Sequence, residues 1–479
     1  MRTLTFYRHM FYLLLFLGFN RLNLTLGESP NILLIFADDL GYNDVDWRDH
    51  RLHTPYLRSL AFDQHTVQLG NSYVNQLCTP TRSALMTGYY PFRTGTQSGV
   101  FLYMEPSGVP LEFPFLPHNL KRMGYSTYLI GKWHLGYCRR EFLPTARGFD
   151  YFYGYYGPQT GYFNHSSDQL DKRQNRMYGG LDLFREMNNG VSFVDFSKQG
   201  VYSTKLFADE AIKVISQHGA NNPFFLFLSF QSVHAPLQAP AFYESKCAHI
   251  QQQTRRKYCA VLAAMDDAIE LVVHSLKSRG LYENTVIIFS SDNGGATDFG
   301  ASNAPLRGEK DSLWEGGTKT NTFVHSPNFI RRFAVRNELF HVVDWHATLL
   351  GIAGSQAQTY GDGINQWDML RSGKGVLRRF QFVYNIAEQG SAMRQGDYKI
   401  IVGNADKNSR FARDHIRLFR VSVDPEERRD VSRQNLGLAR RMSRKIMSLR
   451  RLGRRSIRLP LDPRADPAFH NGAFGSYWC

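Results

Sequence analysis

Cysteine is scarce in this chain, with five among 479 residues. That excludes a small scaffold held by disulfides alone, so the fold must rest on an apolar core. A hydrophobic content of 43% over this length supplies one large domain or two. Low-complexity tracts and internal repeats are lacking, which excludes a solenoid. Acidic residues are in deficit, 42 against 57 basic, leaving a net charge of +15. Long apolar runs are lacking as well. Beyond the N-terminus no segment approaches the roughly 20 apolar residues of a membrane-spanning helix. The one candidate, residues 10–19 (MFYLLLFLGF), is too short to span comfortably. It follows Arg2 and Arg8 and precedes the small residues Thr25 and Gly27. This is the pattern of a secretory signal, residues 1–27, cleaved before Glu28; an uncleaved anchor helix is the alternative. No membrane span is expected after signal removal.

A secretory route permits disulfides and glycans. Asn164-His165-Ser166 is a glycosylation sequon in a polar, loop-like stretch, whereas Asn23-Leu24-Thr25 leaves with the signal. Cys247 and Cys259 flank a short segment and form the preferred pair. If Cys78 is set apart, Cys138 and Cys479 pair by elimination.

Four apolar runs read as strands buried on both faces: residues 31–37 (NILLIFA), 127–130, 224–230 (FFLFLSF) and 285–290 (TVIIFS). Helical stretches at 203–216 and 258–277 lie between them. Ligands in open α/β sheets bind beyond the carboxyl ends of the strands. Here those ends carry Asp38 and Asp39, then Lys132 and His134, then His234, then Asp292 and Asn293. Singly, each could be a solvated loop residue, and Asp38-Asp39 could serve as turn or cap chemistry. Together, three carboxylates and an amide form a hard-oxygen set that favours a divalent cation, calcium or magnesium rather than zinc. Lys132, Arg82 and Lys310 are the cations suited to an anionic substrate, with Arg307 ranked below them. His341 and His346 read as structural.

Residues 78–88 (CTPTRSALMTG) place Cys78 on a short turn before a helix, two residues ahead of Pro80 and four ahead of Arg82. A lone cysteine is commonly a buried hydrophobe or half of a disulfide. Cys-x-Pro-x-Arg is also the pattern at which a secretory-pathway enzyme oxidises cysteine to the aldehyde formylglycine.

With FADDLGYNDV, GYSTYLIGKWHLG, RGFDYFYGYYG, SVHAPLQAP, FSSDNGG, PLRGEKDSLWEGG and DPEERRDVS in order along the chain, the sequence closely resembles the sulfatase family, most of all its arylsulfatase B-like branch. The resemblance implies an α/β fold, alkaline-phosphatase-like, with a large mixed sheet flanked by helices. A smaller C-terminal α+β domain on an antiparallel sheet is expected, giving residues 28–375 and 376–479. It makes Asp38, Asp39, Asp292 and Asn293 ligands of one calcium ion, completed by formylglycine (3-oxoalanine) formed from Cys78 by a formylglycine-generating enzyme. One hydroxyl of the hydrated aldehyde attacks sulfur, and the other expels sulfate. Arg82 and Lys132 are implied to hold the formylglycine and the sulfate, His134 to assist elimination, and His234 with Lys310 to serve the leaving oxygen. The implied enzyme is a sulfuric ester hydrolase acting on a sulfated hexosamine of glycosaminoglycans. Other aryl sulfates, a phosphatase or phosphodiesterase on the same fold, and a catalytically silent binding protein are the alternatives. Lysosomal and secreted destinations both fit. There are departures from the family pattern. Residue 81 is Thr where Ser is common, residues 101–110 lack cysteines, Ala465 replaces a common cysteine, and Cys138 is slightly displaced.

The charge excess is concentrated. Residues 433–458 hold ten Lys or Arg and no Asp or Glu, with Leu438, Met442, Ile446 and Leu449 at helical spacing. An amphipathic helix with a basic outer face follows. It is either a solvated surface or a face for a polyanion such as a sulfated glycosaminoglycan; a nucleic-acid partner is disfavoured in a secreted chain.

Overall fold

Four runs with no polar interruption can be buried only between two layers, and that is where they lie. The computed structural model describes residues 29–187, 190–219 and 222–479. The expected signal and the Asn23 sequon lie outside the described residues. The runs form β1 (Asn31–Ala37), β2 (Ser126–Lys132), β3 (Phe224–Ser229) and β4 (Thr285–Ser291), adjacent and parallel in the order β4-β1-β3-β2. They form the centre of a ten-stranded sheet, which becomes mixed where antiparallel strands join at Phe323–His325 and Phe184–Met187. Registers Phe36↔Ser229, Ala37↔Ser291 and Ser229↔Gly131 bring the carboxyl ends level. The residues that follow these strands therefore share one edge.

Strand alternation divides the core in two. Ile32, Leu34 and Phe36 face a layer containing helix α1 (Cys78–Thr87) and the C-terminal sheet. Leu33, Ile35 and Leu226 face helices α2 (Ser203–Gln217) and α3 (Gln253–Ser278). Helix α3 begins five residues before the expected start because the Gln252 side chain caps it, accepting from the Arg255 amide at 2.8 Å. Both expected disulfides are present, Cys247–Cys259 and Cys138–Cys479, and Cys78 is free and buried. Among the described residues no helix is long and apolar enough to cross a membrane.

The C-terminal sheet is antiparallel, β5 (Gln381–Ile386), β6 (Gly390–Gln395), β7 (Tyr398–Gly403) and β8 (Ile416–Arg420), with helix α4 (Leu436–Arg450) packed on it. The α4 stripe is centred on Ala439, Met442, Ser443 and Ile446, while Leu438 and Leu449 are half-buried at its margins. The small residues Ala439 and Ser443 let the helix sit close, which displaces the larger leucines from the centre of the contact. A buried cluster ties the C-terminal sheet to Glu315 and to Tyr73 of the short strand Ser72–Tyr73. Lys399 of β7 lies 3.1 Å from Glu315 and 2.9 Å from Glu427, and Tyr73 and Tyr384 both donate to Glu315. Replacing Lys399 by Met would leave two carboxylates buried without their cation. The expected cost is about 3–5 kcal/mol, read as a lowered urea midpoint.

Three histidines outside the site are buried and neutral. Burial holds His346 down to about 3, although its ring bonds the Met86 carbonyl. His325 is held at about 4, and burial keeps His341 well below its usual range. His341 and His346 are structural, as read from the sequence: one stacks on Phe382, the other on Tyr360. A base whose folded value is depressed contributes stability that is complete above the unfolded value and is lost as pH falls below it. Unfolding free energy should therefore fall from about pH 6.5 toward about pH 4, by up to about 1.4 kcal/mol per pH unit for each histidine. Urea titrations at several pH values should show this slope, and His346→Gln should flatten it by one group's share.

Candidate active site

The first unpaired residues beyond a sheet edge cannot continue the ladder, so their side chains and backbones are free to turn inward. After β1 come Asp38 and Asp39, both buried, with Asp39 at φ 60°. After β4 come Asp292 and Asn293, both fully buried. Lys132 is the last residue of β2, one turn earlier than a loop placement, and His134 follows at φ 62°. Positive φ is costly for residues bearing a Cβ and is concentrated at functional sites. Gly131 is required here, because a Cβ at that position would lie 1.9 Å from the Ser229 carbonyl oxygen. The loop after β3 presents His234, and the loop preceding Glu315 presents Lys310. Cys78 is the first residue of α1 rather than part of a turn before it, and is 2% exposed.

All six site cations and carboxylates are tied to each other. Arg82 donates to Asp292 from Nε at 3.1 Å and Nη2 at 2.8 Å, and its Nη1 reaches Ser229 Oγ at 2.6 Å and the Lys132 carbonyl at 3.1 Å. Lys132 Nζ lies 2.5 Å from Asp38 Oδ2. Lys310 Nζ lies 2.8 Å from Asp39 Oδ2 and 2.9 Å from His234 Nε2. Burial and the nearby Asp292 push the Asp38 carboxyl up to about 8, against the pull of Lys132. Burial also raises the Cys78 thiol to about 11, so the unmodified side chain is a neutral thiol at physiological pH.

Both site histidines are neutral with defined tautomers. His234 Nδ1–H donates to the Ala235 carbonyl at 2.6 Å, leaving Nε2 to accept from Lys310; burial, then Lys310, lowers the ring to about 3. His134 Nε2–H donates to the Phe101 carbonyl at 2.9 Å, and its Nδ1 is buried with no hydrogen-bond partner among the described residues. Cys78, His134, His234 and Lys310 share a cavity of about 500 Å³. A chain with this arrangement can hold an anion beside Cys78 and exchange protons on either side of it.

A family model described as Sulfatase matches residues 30–355. Arylsulfatase J of Mus musculus is 33% identical over 95% of this chain and 81% of its own length. The N-acetylgalactosamine-6-sulfatase of Rattus norvegicus is 30% identical over 68% of this chain and 62% of its own length. The crystal structure of Ps i-CgsB in complex with k-i-k-neocarrahexaose superposes with a TM-score of 0.77 at 27% identity, covering 90% of this chain and 94% of that one. The PsFucS1 sulfatase from Pseudoalteromonas sp. gives a TM-score of 0.72 at 25% identity, covering 91% and 93%. The chain belongs to the sulfatase family. It is a sulfuric ester hydrolase with the alkaline-phosphatase-like fold of its structural neighbours.

In this sulfatase the donor set fits a hard cation. Asp38 Oδ1 and Asn293 Oδ1 are buried oxygens with no hydrogen-bond partner, and ligand atoms of Asp38, Asp39 and Cys78 lie within 4.8 Å of one another. Uncompensated buried oxygens are costly, and a bound cation would satisfy them. The structure brings together every residue singled out from the sequence for the site except Arg307. Arg307 stands apart: it covers the Trp314 ring at 3.7 Å and bonds the Glu427 carbonyl. Sequence reading missed Ser229, which orients Arg82, and the outer cavity wall. That wall includes Asp168 and Gln169 from the hairpin Ser166–Asp171/Arg176–Leu181, and Lys407 from the C-terminal region. The strand runs gave no signal for either.

Calcium added to the metal-free protein should raise its melting temperature, and a chelator should reverse the rise. Saturation a hundredfold above Kd corresponds to about 2.7 kcal/mol. Asp292→Asn should lose most of the shift. An unchanged melting temperature across calcium concentrations would count against the site.

Proposed function

We propose that this sulfatase works through formylglycine made from Cys78 and one calcium ion held by Asp38, Asp39, Asp292 and Asn293. We further propose sulfated hexosamine of glycosaminoglycans as its substrate. The observation that carries the reading is Cys78 at the cavity floor, beside Asp38 and Asp39 and facing two neutral histidines. The ion would supply Lewis acidity toward the sulfate oxygens, and the hydrated aldehyde a nucleophile that can later release sulfate.

The chain's own residues have distinct tasks. Lys132 and Arg82 fix Asp38 and Asp292 and bring positive charge to the place where the sulfate must lie. His134 offers its free Nδ1 to take a proton from a hydroxyl at residue 78. Lys310 holds a proton on the far side, hydrogen-bonded to His234 Nε2, where the departing alcohol oxygen needs one. Ser167, Asp168 and Gln169 give the outer cavity polar groups suited to sugar hydroxyls. The name of the N-acetylgalactosamine-6-sulfatase relatives agrees with a hexosamine.

Because Cys78 is 2% exposed, a formylglycine-generating enzyme would have to reach it before the fold closes. Two disulfides and the exposed Asn164 support a secretory origin, with lysosomal delivery or secretion to follow. Residues 28–375 would form the catalytic domain and 376–479 the smaller one.

Mass spectrometry of the peptide containing residue 78, from a competent secretory host, should find the aldehyde. Cys78→Ala should abolish aryl sulfate turnover, and His134→Ala should slow it by about 10²–10⁴-fold. Aryl phosphate turned over faster than aryl sulfate would favour the phosphatase reading instead.

A further inference from the structure

The largest concentration of unpaired charge outside the active site lies on α4 and the segment after it. Arg440, Arg441, Arg444 and Lys445 are exposed on the helix, and Arg451 and Arg455 are exposed just beyond it. Among the described residues none of the six has an ion-pair or hydrogen-bond partner for its charged group. Their neighbours are engaged: Arg450 donates to Ser391 Oγ at 2.9 Å, Arg454 pairs with Glu112 at 2.5 Å, and Arg458 pairs with Glu105. The engaged residues hold the segment in place while the others face solvent.

The basic segment forms one side of a groove of about 690 Å³. Arg450, Arg454 and Arg455 line it with Gln97 and Ser98, and Glu388 is the only acidic residue in its lining. The segment is docked by backbone bonds, Arg454 N–H to the Phe92 carbonyl at 2.8 Å and Ile457 N–H to the Gly95 carbonyl at 3.0 Å; Gln97 Nε2 also donates to the Arg454 carbonyl. Residues 97–102 thus have two sides. Gln97 and Ser98 line the groove, while Val100 and Leu102 line the active-site cavity. Two residues of extended chain span at most about 7 Å, so neighbouring residues of one segment line the groove and the cavity.

We propose that this groove, with the outer face of α4, is a second binding site that holds a sulfated polysaccharide while one of its sugars occupies the cavity. The proposal rests on the sulfatase reading of the cavity and adds a polymer-binding surface to it. A clustered positive field raises the local concentration of a chain carrying many anionic groups, and its effect should decline with salt. A concave groove suits a polysaccharide better than a flat membrane surface does.

The test compares two quadruple variants of the full-length protein. One is Arg444→Gln, Lys445→Gln, Arg451→Gln and Arg455→Gln. The other removes equal charge elsewhere, at the exposed Arg122, Lys257, Arg331 and Arg332. The face variant should elute from heparin at clearly lower salt than the control variant. It should also lose about tenfold in kcat/KM on a sulfated polymer, through KM, while turnover of a small aryl sulfate stays within about twofold. Equal elution of the two variants would overturn the proposal, as would polymer turnover that falls no more than aryl sulfate turnover. Binding to phosphatidylserine vesicles that heparin cannot displace would assign the face to a membrane instead. If no sulfate ester is turned over but heparin retention still depends on the face, the proposed reaction fails and the binding surface stands.

Discussion

Three carboxylates crowded at the dry end of a buried sheet are tolerable only if each has a cation in contact, and that requirement organises the surrounding structure. Arg82 can reach Asp292 only if α1 points its first turns at the end of β4, and that same placement sets Cys78 at the cavity floor. Lys132 can reach Asp38 only as the last residue of a strand in register with β3. Lys310 comes from a loop with no regular structure, which is held by its own backbone bonds to Gly295, Gln76 and Ala405 and leads into Glu315. Glu315 is bound in turn to Lys399 of the C-terminal sheet. The smaller sheet thereby helps to fix a residue of the cavity from behind, although Lys399 itself lines no part of that cavity.

The same crowding explains where backbone strain is stored. Asp39 and His134 both adopt positive φ, and Gly131 allows β2 to approach the Ser229 carbonyl more closely than any other residue could. Each deviation turns a side chain from the sheet face into the space beyond its edge. Strain of this kind persists only where the surroundings over-determine it. Here the ion pairs do so for Asp39, and for His134 its ring bond to the Phe101 carbonyl, its N–H bond to the Tyr156 carbonyl and the Thr79 hydroxyl on its own carbonyl.

How far the site could be read from sequence followed from burial. Strands covered on both faces carry uninterrupted apolar runs, so their ends are sharp, and Asp38, Lys132 and Asp292 were legible as residues arriving at one edge. Helix α1 was legible through its motif, but its start was not, because Leu77 provides no side-chain cap. The outer cavity was not legible. The hairpin carrying Asp168 and Gln169 is half-solvated and alternating, and nothing in such a pattern states which part of the molecule it will cover. Lys407 is distant in sequence from every other cavity residue, and its segment is held beside the site by Leu313 N–H on the Ala405 carbonyl and Trp314 Nε1–H on Asp406.

The charge balance of the site imposes an order on its occupancy. Asp38, Asp39 and Asp292 are matched by Arg82, Lys132 and Lys310, so the protein's own groups sum to neutrality when all are ionised, and to +1 while Asp38, pushed up to about 8, keeps its proton. A pocket so nearly balanced offers an anion little net attraction, however many cations it contains, because each cation is already spent on a partner within hydrogen-bond distance. A divalent ion on the unpartnered oxygens of Asp38 and Asn293 would change the sum to +2 without breaking those pairs. With that ion the cavity would favour a sulfate ester over water more strongly, because the surroundings exclude solvent. On the proposed reading the cation therefore precedes the substrate.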